Sequence, residues 1–162
     1  MKRYVASLAL ILAIPFSIFA QEESEDFEKI GEKFAIHDLE SKVDFQLMEK
    51  GGEKYLKVWI NTHLNLGCID DSTFLILYLD NGSDVDLSIT EKNCGQLAKN
   101  KKHQDYEIMY TIPSESLEEM RTHKVEYLEI EAEHQTLERK AENFQDMSRE
   151  HFESYFLKNL TE

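Results

Sequence analysis

Little in this chain punctuates or staples it. Two prolines, two cysteines and one tryptophan stand among 162 residues, and glycine occurs only at 31, 51, 52, 67, 82 and 95. So little proline and glycine excludes collagen-like and low-complexity architectures. The glycines form neither a GxGxxG fingerprint nor a phosphate-cradling GxxxxGKS/T loop, and no GxSxG or HExxH occurs. Nucleotide-binding and zinc-peptidase readings thereby lose their usual support. The six histidines are scattered singly, without the paired spacing that lets two imidazoles share a metal ion, so neither a metal site nor a cofactor is expected. Basic charge is scarce too, with 18 lysines and arginines against 32 aspartates and glutamates.

The one long apolar run lies at the start. Lys2 and Arg3 precede Tyr4 to Phe19, and Ala20 supplies the small residue expected before a cleavage point. This pattern predicts a secretory signal over residues 1–20, with Gln21 as the first residue of the product. The competing reading, an uncleaved anchor, is disfavoured because the run is shorter than the ~20 residues that span a bilayer. It is also broken by Pro15 and followed by acid. No cysteine stands near Ala20 to accept a lipid. The expected product is secreted or periplasmic, with no membrane insertion after cleavage. Lys2 and Arg3 are two of the 18 basic residues and no acid falls within 1–20, so residues 21–162 carry 16 basic against 32 acidic, a formal charge of −16. Self-repulsion of that size opposes nucleic acid and anionic lipid, and leaves a cationic protein or a neutral ligand as the partner.

Residues 21–33, QEESEDFEKIGEK, hold only Phe27 and Ile30 as large apolar groups, and read as an acidic flexible spacer. Residues 34–162 suit a single β-rich domain. Val43, Phe45 and Leu47 alternate with Asp44, Gln46 and Met48, and Gly51-Gly52 then turns the chain into Tyr55 to Leu66. The alternation puts Leu56, Val58, Ile60, Thr62, Leu64 and Leu66 on one face and Tyr55, Lys57, Trp59, Asn61 and His63 on the other. Thr73 to Leu79 is apolar on both faces and runs into Asn81-Gly82, the pattern of a two-residue type I′ hairpin. Pairing Asp80 with Ser83 sets Tyr78 opposite Val85 and Ile76 opposite Leu87. Leu75, Leu77 and Leu79 then fall on the reverse face, in need of a cover. Extending that hairpin leaves Cys68 and Cys94 one residue from direct opposition, so a disulfide between them is expected.

A polar loop over 96–104 precedes a strand carrying Tyr106, Ile108, Tyr110 and Ile112, which Pro113 ends. Ser114 or Ser116 can cap a short helix through Met120, and Ser116 with Glu119 fits a capping box. Lys124 to Glu133 reads as a strand and Gln135 to Glu142 as an edge strand. Phe152, Tyr155, Phe156 and Leu160 recur at helical spacing and predict a closing helix able to cover the three leucines. The expected fold is α+β: an antiparallel sheet of about six or seven strands in a meander of hairpins, with a short helix and a C-terminal helix packed on it. A β-sandwich is the alternative.

Candidate chemistry is sparse. Asp80, Asn81, Asp84 and Asp86 could offer oxygens to calcium, but their order is not that of an EF-hand loop, and a solvated turn explains them. Asp70 and Asp71 near His63 could form an acid–base group, yet nothing supplies a nucleophile or oxyanion site beside them. The triplets beginning at Asn81 and Asn159 match a glycosylation acceptor. The surface best suited to recognition is the Tyr55, Lys57, Trp59, Asn61 and His63 row, because aromatics beside polar groups stack on sugars and peptides. Burial of the row as core is the competing reading. The expected function is a non-enzymatic exported binding domain, possible partners being a cationic protein or a neutral ligand; a small hydrolase and a structural envelope protein are the alternatives.

Overall fold

The computed structural model describes residues 27–37, 41–99 and 102–140. The expected signal over 1–20, the C-terminal helix and Asn159 lie outside them. Within the described residues nine strands pair antiparallel into one sheet accompanied by one short helix. The strands are β1 (Glu28–His37), β2 (Ser41–Lys50), β3 (Glu53–Thr62), β4 (Phe74–Leu79), β5 (Asp84–Ile89), β6 (Gln96–Leu97), β7 (Gln104–Ile112), β8 (Val125–Ile130) and β9 (Leu137–Lys140); the helix is α1 (Ser114–Thr122). Seven of the strands are those the alternation announces. β1 and β6 are additional.

β1 corrects the expected spacer. Glu28, Lys29 and Ile30 pair with Glu49, Met48 and Leu47, and after an irregularity the ladder resumes at Phe34 opposite Phe45. Backbone pairing with β2 and packing of Ile30 against the core supply what the charged composition of 28–33 does not advertise. The spacer reading therefore fails for 28–33, while 21–26 lie outside the described residues.

The order β1-β2-β3-β7-β5-β4-β8-β9 is not a simple meander, because β3 pairs with β7 and not with β4. Two four-strand halves result, β1-β2-β3-β7 and β5-β4-β8-β9. They are joined by Ser88↔Thr111 and Ile89↔Tyr110 alone in the ladder of β5 with β7. Further along β7, the short β6 takes over the same edge. The inner faces of both halves meet in one cluster: Val43, Phe45, Leu56, Val58 and Ile60 from the first, Leu75, Leu77, Leu87, Leu128 and Ile130 from the second. The alternation of β2, β3 and β7 places these side chains as the sequence implies.

The β4–β5 register departs by one residue from expectation. Leu75 faces Leu87 and Leu77 faces Val85. The reason is the turn, in which Leu79 N–H donates to the Ser83 carbonyl (2.8 Å) and Gly82 N–H to the Leu79 carbonyl (3.0 Å). The loop is thus three residues long, Asp80-Asn81-Gly82, with Gly82 at φ +82°, where glycine tolerates a left-handed backbone. Asn81 Oδ1 accepts from Ser83 N (3.0 Å) and Oγ (2.8 Å), holding the turn. A one-residue slip exchanges the faces of a strand. Leu75, Leu77 and Leu79 accordingly lie in the core, and Phe74, Ile76 and Tyr78 stand half-buried outside.

The same register puts Cys68 and Cys94 in direct opposition, next to the isolated bridge Ile69↔Asn93, and the two are disulfide-bonded. The capping box does not form. The helix begins after Pro113, which sits at the N-cap without a side-chain hydrogen bond, and Met120 anchors it in the core.

Candidate functional site

Four of the five candidate residues share the outer face of β3. Tyr55, Lys57, Trp59 and Asn61 are each half-buried, so they are neither core nor free in solvent. His63 lies past the end of β3 and leaves the row. Its Nδ1 is 3.1 Å from the Lys102 carbonyl, and its ring centroid is 3.6 Å from that of His103.

Pairing with β2 on one side and β7 on the other turns the row into a lattice. Asp44, Trp59 and Glu107 form one cross-strand line; Gln46, Lys57 and Met109 form the next; Lys42, Asn61 and Asp105 flank it. Lys33 Nζ stands 4.0 Å from the Trp59 ring centroid and 2.8 Å from Asp44 Oδ2. Lys57 Nζ stands 5.0 Å from the same ring and is paired with Glu107. Asn61 Nδ2 donates to Asp105 Oδ1. Phe27 meets Tyr55 edge-on, with centroids 5.0 Å apart. The indole is therefore held between two ammonium groups, each tied to a carboxylate, an arrangement in which ring quadrupole and ion pair act together.

The electrostatics follow from these contacts. The Lys57 hydrogen bond, with smaller help from the Trp59 indole and the Lys33 charge, holds the Glu107 carboxyl below its ordinary value against the opposing effect of burial. For Asp44, burial acts upward but is outweighed by the hydrogen bonds and charges of Lys33 and Lys42, and the net shift is downward. The hydrogen bond from Tyr55 to Glu53 raises the phenol. Beside this lattice opens a cleft of about 400 Å³, with Phe27, Lys57, Thr90, Glu91, Glu107 and Met109 in its wall.

Lys33, Glu107 and the cleft residues other than Lys57 are not visible as neighbours of Trp59 in the sequence. The alternation of Tyr106 to Ile112 marks Glu107 as outward-facing, but only the β3–β7 pairing places it beside the indole. The other candidates are not brought together. Asp70 accepts from Ser72 N (3.2 Å) and Oγ (2.6 Å) and meets Lys92 at 3.3 Å, whereas His63 turns to Lys102 and His103. Asp80 Oδ1 lies 3.0 Å from His123 Nδ1, and Asn81 is engaged by Ser83. Among the described residues no three histidine, cysteine, aspartate or glutamate side chains gather into a metal-binding group, and no helix is long and apolar enough to cross a membrane. No protein-family model, curated protein or solved structure matches the chain.

Proposed function

We propose that this chain is an exported, non-enzymatic binding domain that recognises a neutral ligand on the outer face of β3, with Trp59 as the stacking platform and the adjoining cleft as the pocket. The observation that carries this reading is the half-buried indole between the Lys33–Asp44 and Lys57–Glu107 pairs. Because positive and negative groups there are matched in pairs, the surface offers little net charge to steer an ion. It does offer a flat ring and several donors and acceptors, the combination that suits a sugar ring or an extended peptide. Export rests on the signal pattern over 1–20, and the Cys68–Cys94 disulfide is compatible with an oxidising compartment.

The sole tryptophan makes the test direct. Titration with a panel of neutral oligosaccharides and uncharged peptides should change Trp59 emission for at least one class, and Trp59→Ala should abolish binding of that class measured by calorimetry. An unchanged emission spectrum across the panel, or undiminished binding by Trp59→Ala, would overturn the assignment. Intact-mass measurement of the exported product should give residues 21–162. A membrane-retained product that keeps residues 1–20 would remove the export half of the reading.

A further inference from the structure

The outer face of the second half carries a different chemistry. Register places Asp84, Tyr78, Tyr127 and Lys140 in one line across β5, β4, β8 and β9, and Asp86, Ile76, Glu129 and Glu138 in the next. Phe74 stands beyond Ile76, and the Glu131 carboxylate accepts from its backbone N–H at 3.0 Å. Tyr78 and Tyr127 stack with centroids 4.9 Å apart, and both hydroxyls donate to Glu129. Five carboxylates thus border a half-buried apolar and aromatic strip on which register sets a single basic residue, Lys140. On the other half, the Trp59 and Phe27 rings already carry lysine ammonium groups.

We infer that this face docks a cationic, partly apolar segment of a partner protein, with its lysine or arginine side chains set against Asp84, Asp86 and Glu129 and its apolar side chains on Phe74, Ile76 and Tyr78. Charge complementarity selects the occupant. A second copy of this acidic chain is repelled, and residues 141–162 bring five acids against Arg149 and Lys158, the same sign as the face. The negative field is felt locally: burial first, then Glu129, Asp84 and Asp86, raise the Tyr78 phenol above its ordinary value. The inference does not depend on the Trp59 reading, since it uses other strands and a charged rather than a neutral ligand.

The test uses the full chain and a short capped peptide alternating lysine with leucine. Calorimetry should detect binding that weakens as salt is added. Hydrogen exchange should show new protection over 74–78 and 127–131. Asp84→Asn with Asp86→Asn, both exposed positions on β5, should weaken binding about tenfold while leaving the melting temperature unchanged, and Trp59→Ala should bind normally. Equal binding of the same peptide with glutamate in place of lysine would overturn the inference. So would protection elsewhere, or release of protection in 141–162 on adding the peptide, which would make the chain's own tail the occupant.

Discussion

Trp59 is held as a surface residue by its neighbours. Its stability contribution should be modest because the ring lies outside the core cluster and is only half-buried. Trp59→Ala should therefore cost about 1 kcal/mol in thermal unfolding, against the roughly 3–5 kcal/mol of a fully buried tryptophan. A loss in the larger range would return the indole to the core and deprive the binding reading of its platform. The paired charges make a second prediction. Glu107 titrates below its ordinary value near 4.5 in the folded protein, so its pairing stabilises the fold above that value and the contribution is lost as pH falls through the lowered one. Asp44 and Asp70 are lowered as well and act with the same sign. Lys57→Met should move the Glu107 midpoint upward in a carboxyl-carbon NMR titration; an unmoved midpoint would mean that the ion pair does not set it. At this scale the row Tyr55 to Asn61 could be read from period-two alternation alone. Lys33 and Glu107 could not, because each reaches Trp59 through a strand pairing that sequence spacing does not encode.

At the scale of elements, two glycines separate backbone strain from steric clash. Gly82 at φ +82° has open space where a Cβ would stand, whereas Gly95 at φ +68° would put a Cβ 2.6 Å from Tyr106 Cζ. That ring is buried, and its hydroxyl donates to the Gly67 carbonyl at 3.1 Å. Gly82→Ala should therefore cost about 1 kcal/mol, the penalty of the left-handed backbone alone. Gly95→Ala should cost about 2 kcal/mol more, since overpacking a filled site adds roughly 1–3 kcal/mol. Equal losses in urea unfolding would show that Tyr106 moves aside freely. The turn around Gly82 also marks the limit of sequence reading. Asn81-Gly82 locates the hairpin, but two- and three-residue loops share that dipeptide, and choosing between them decides which face of β4 enters the core. β1 escaped notice because the glutamates and lysines around Ile30 hide its pairing, and β6 because two residues carry no period.

Across the whole molecule, composition discloses the acidic excess but not its partition. Sequence order interleaves strands of the two halves, so only the β3–β7 pairing sorts lysines toward the Trp59 face and carboxylates toward Tyr78 and Tyr127. The disulfide belongs to this scale as well. Cys68 lies in the connection from β3 to β4 and Cys94 in the connection from β5 to β6, so one bond ties two crossings between the halves. Its partners are 26 residues apart, and the chain-entropy model assigns such a closure about 3.5 kcal/mol. Cys68→Ser with Cys94→Ser should lower the unfolding free energy by about that amount, and an unchanged denaturation midpoint would refute it. The position of the bond also bears on the order of events in time. An oxidised chain begins refolding with both crossings tethered, so the search that brings β3 to the edge of β7 is shortened before the barrier is reached. Removing the bond should then slow the refolding arm of a chevron and leave the unfolding arm nearly unchanged, which would place the pairing of β3 with β7 ahead of the rate-limiting step.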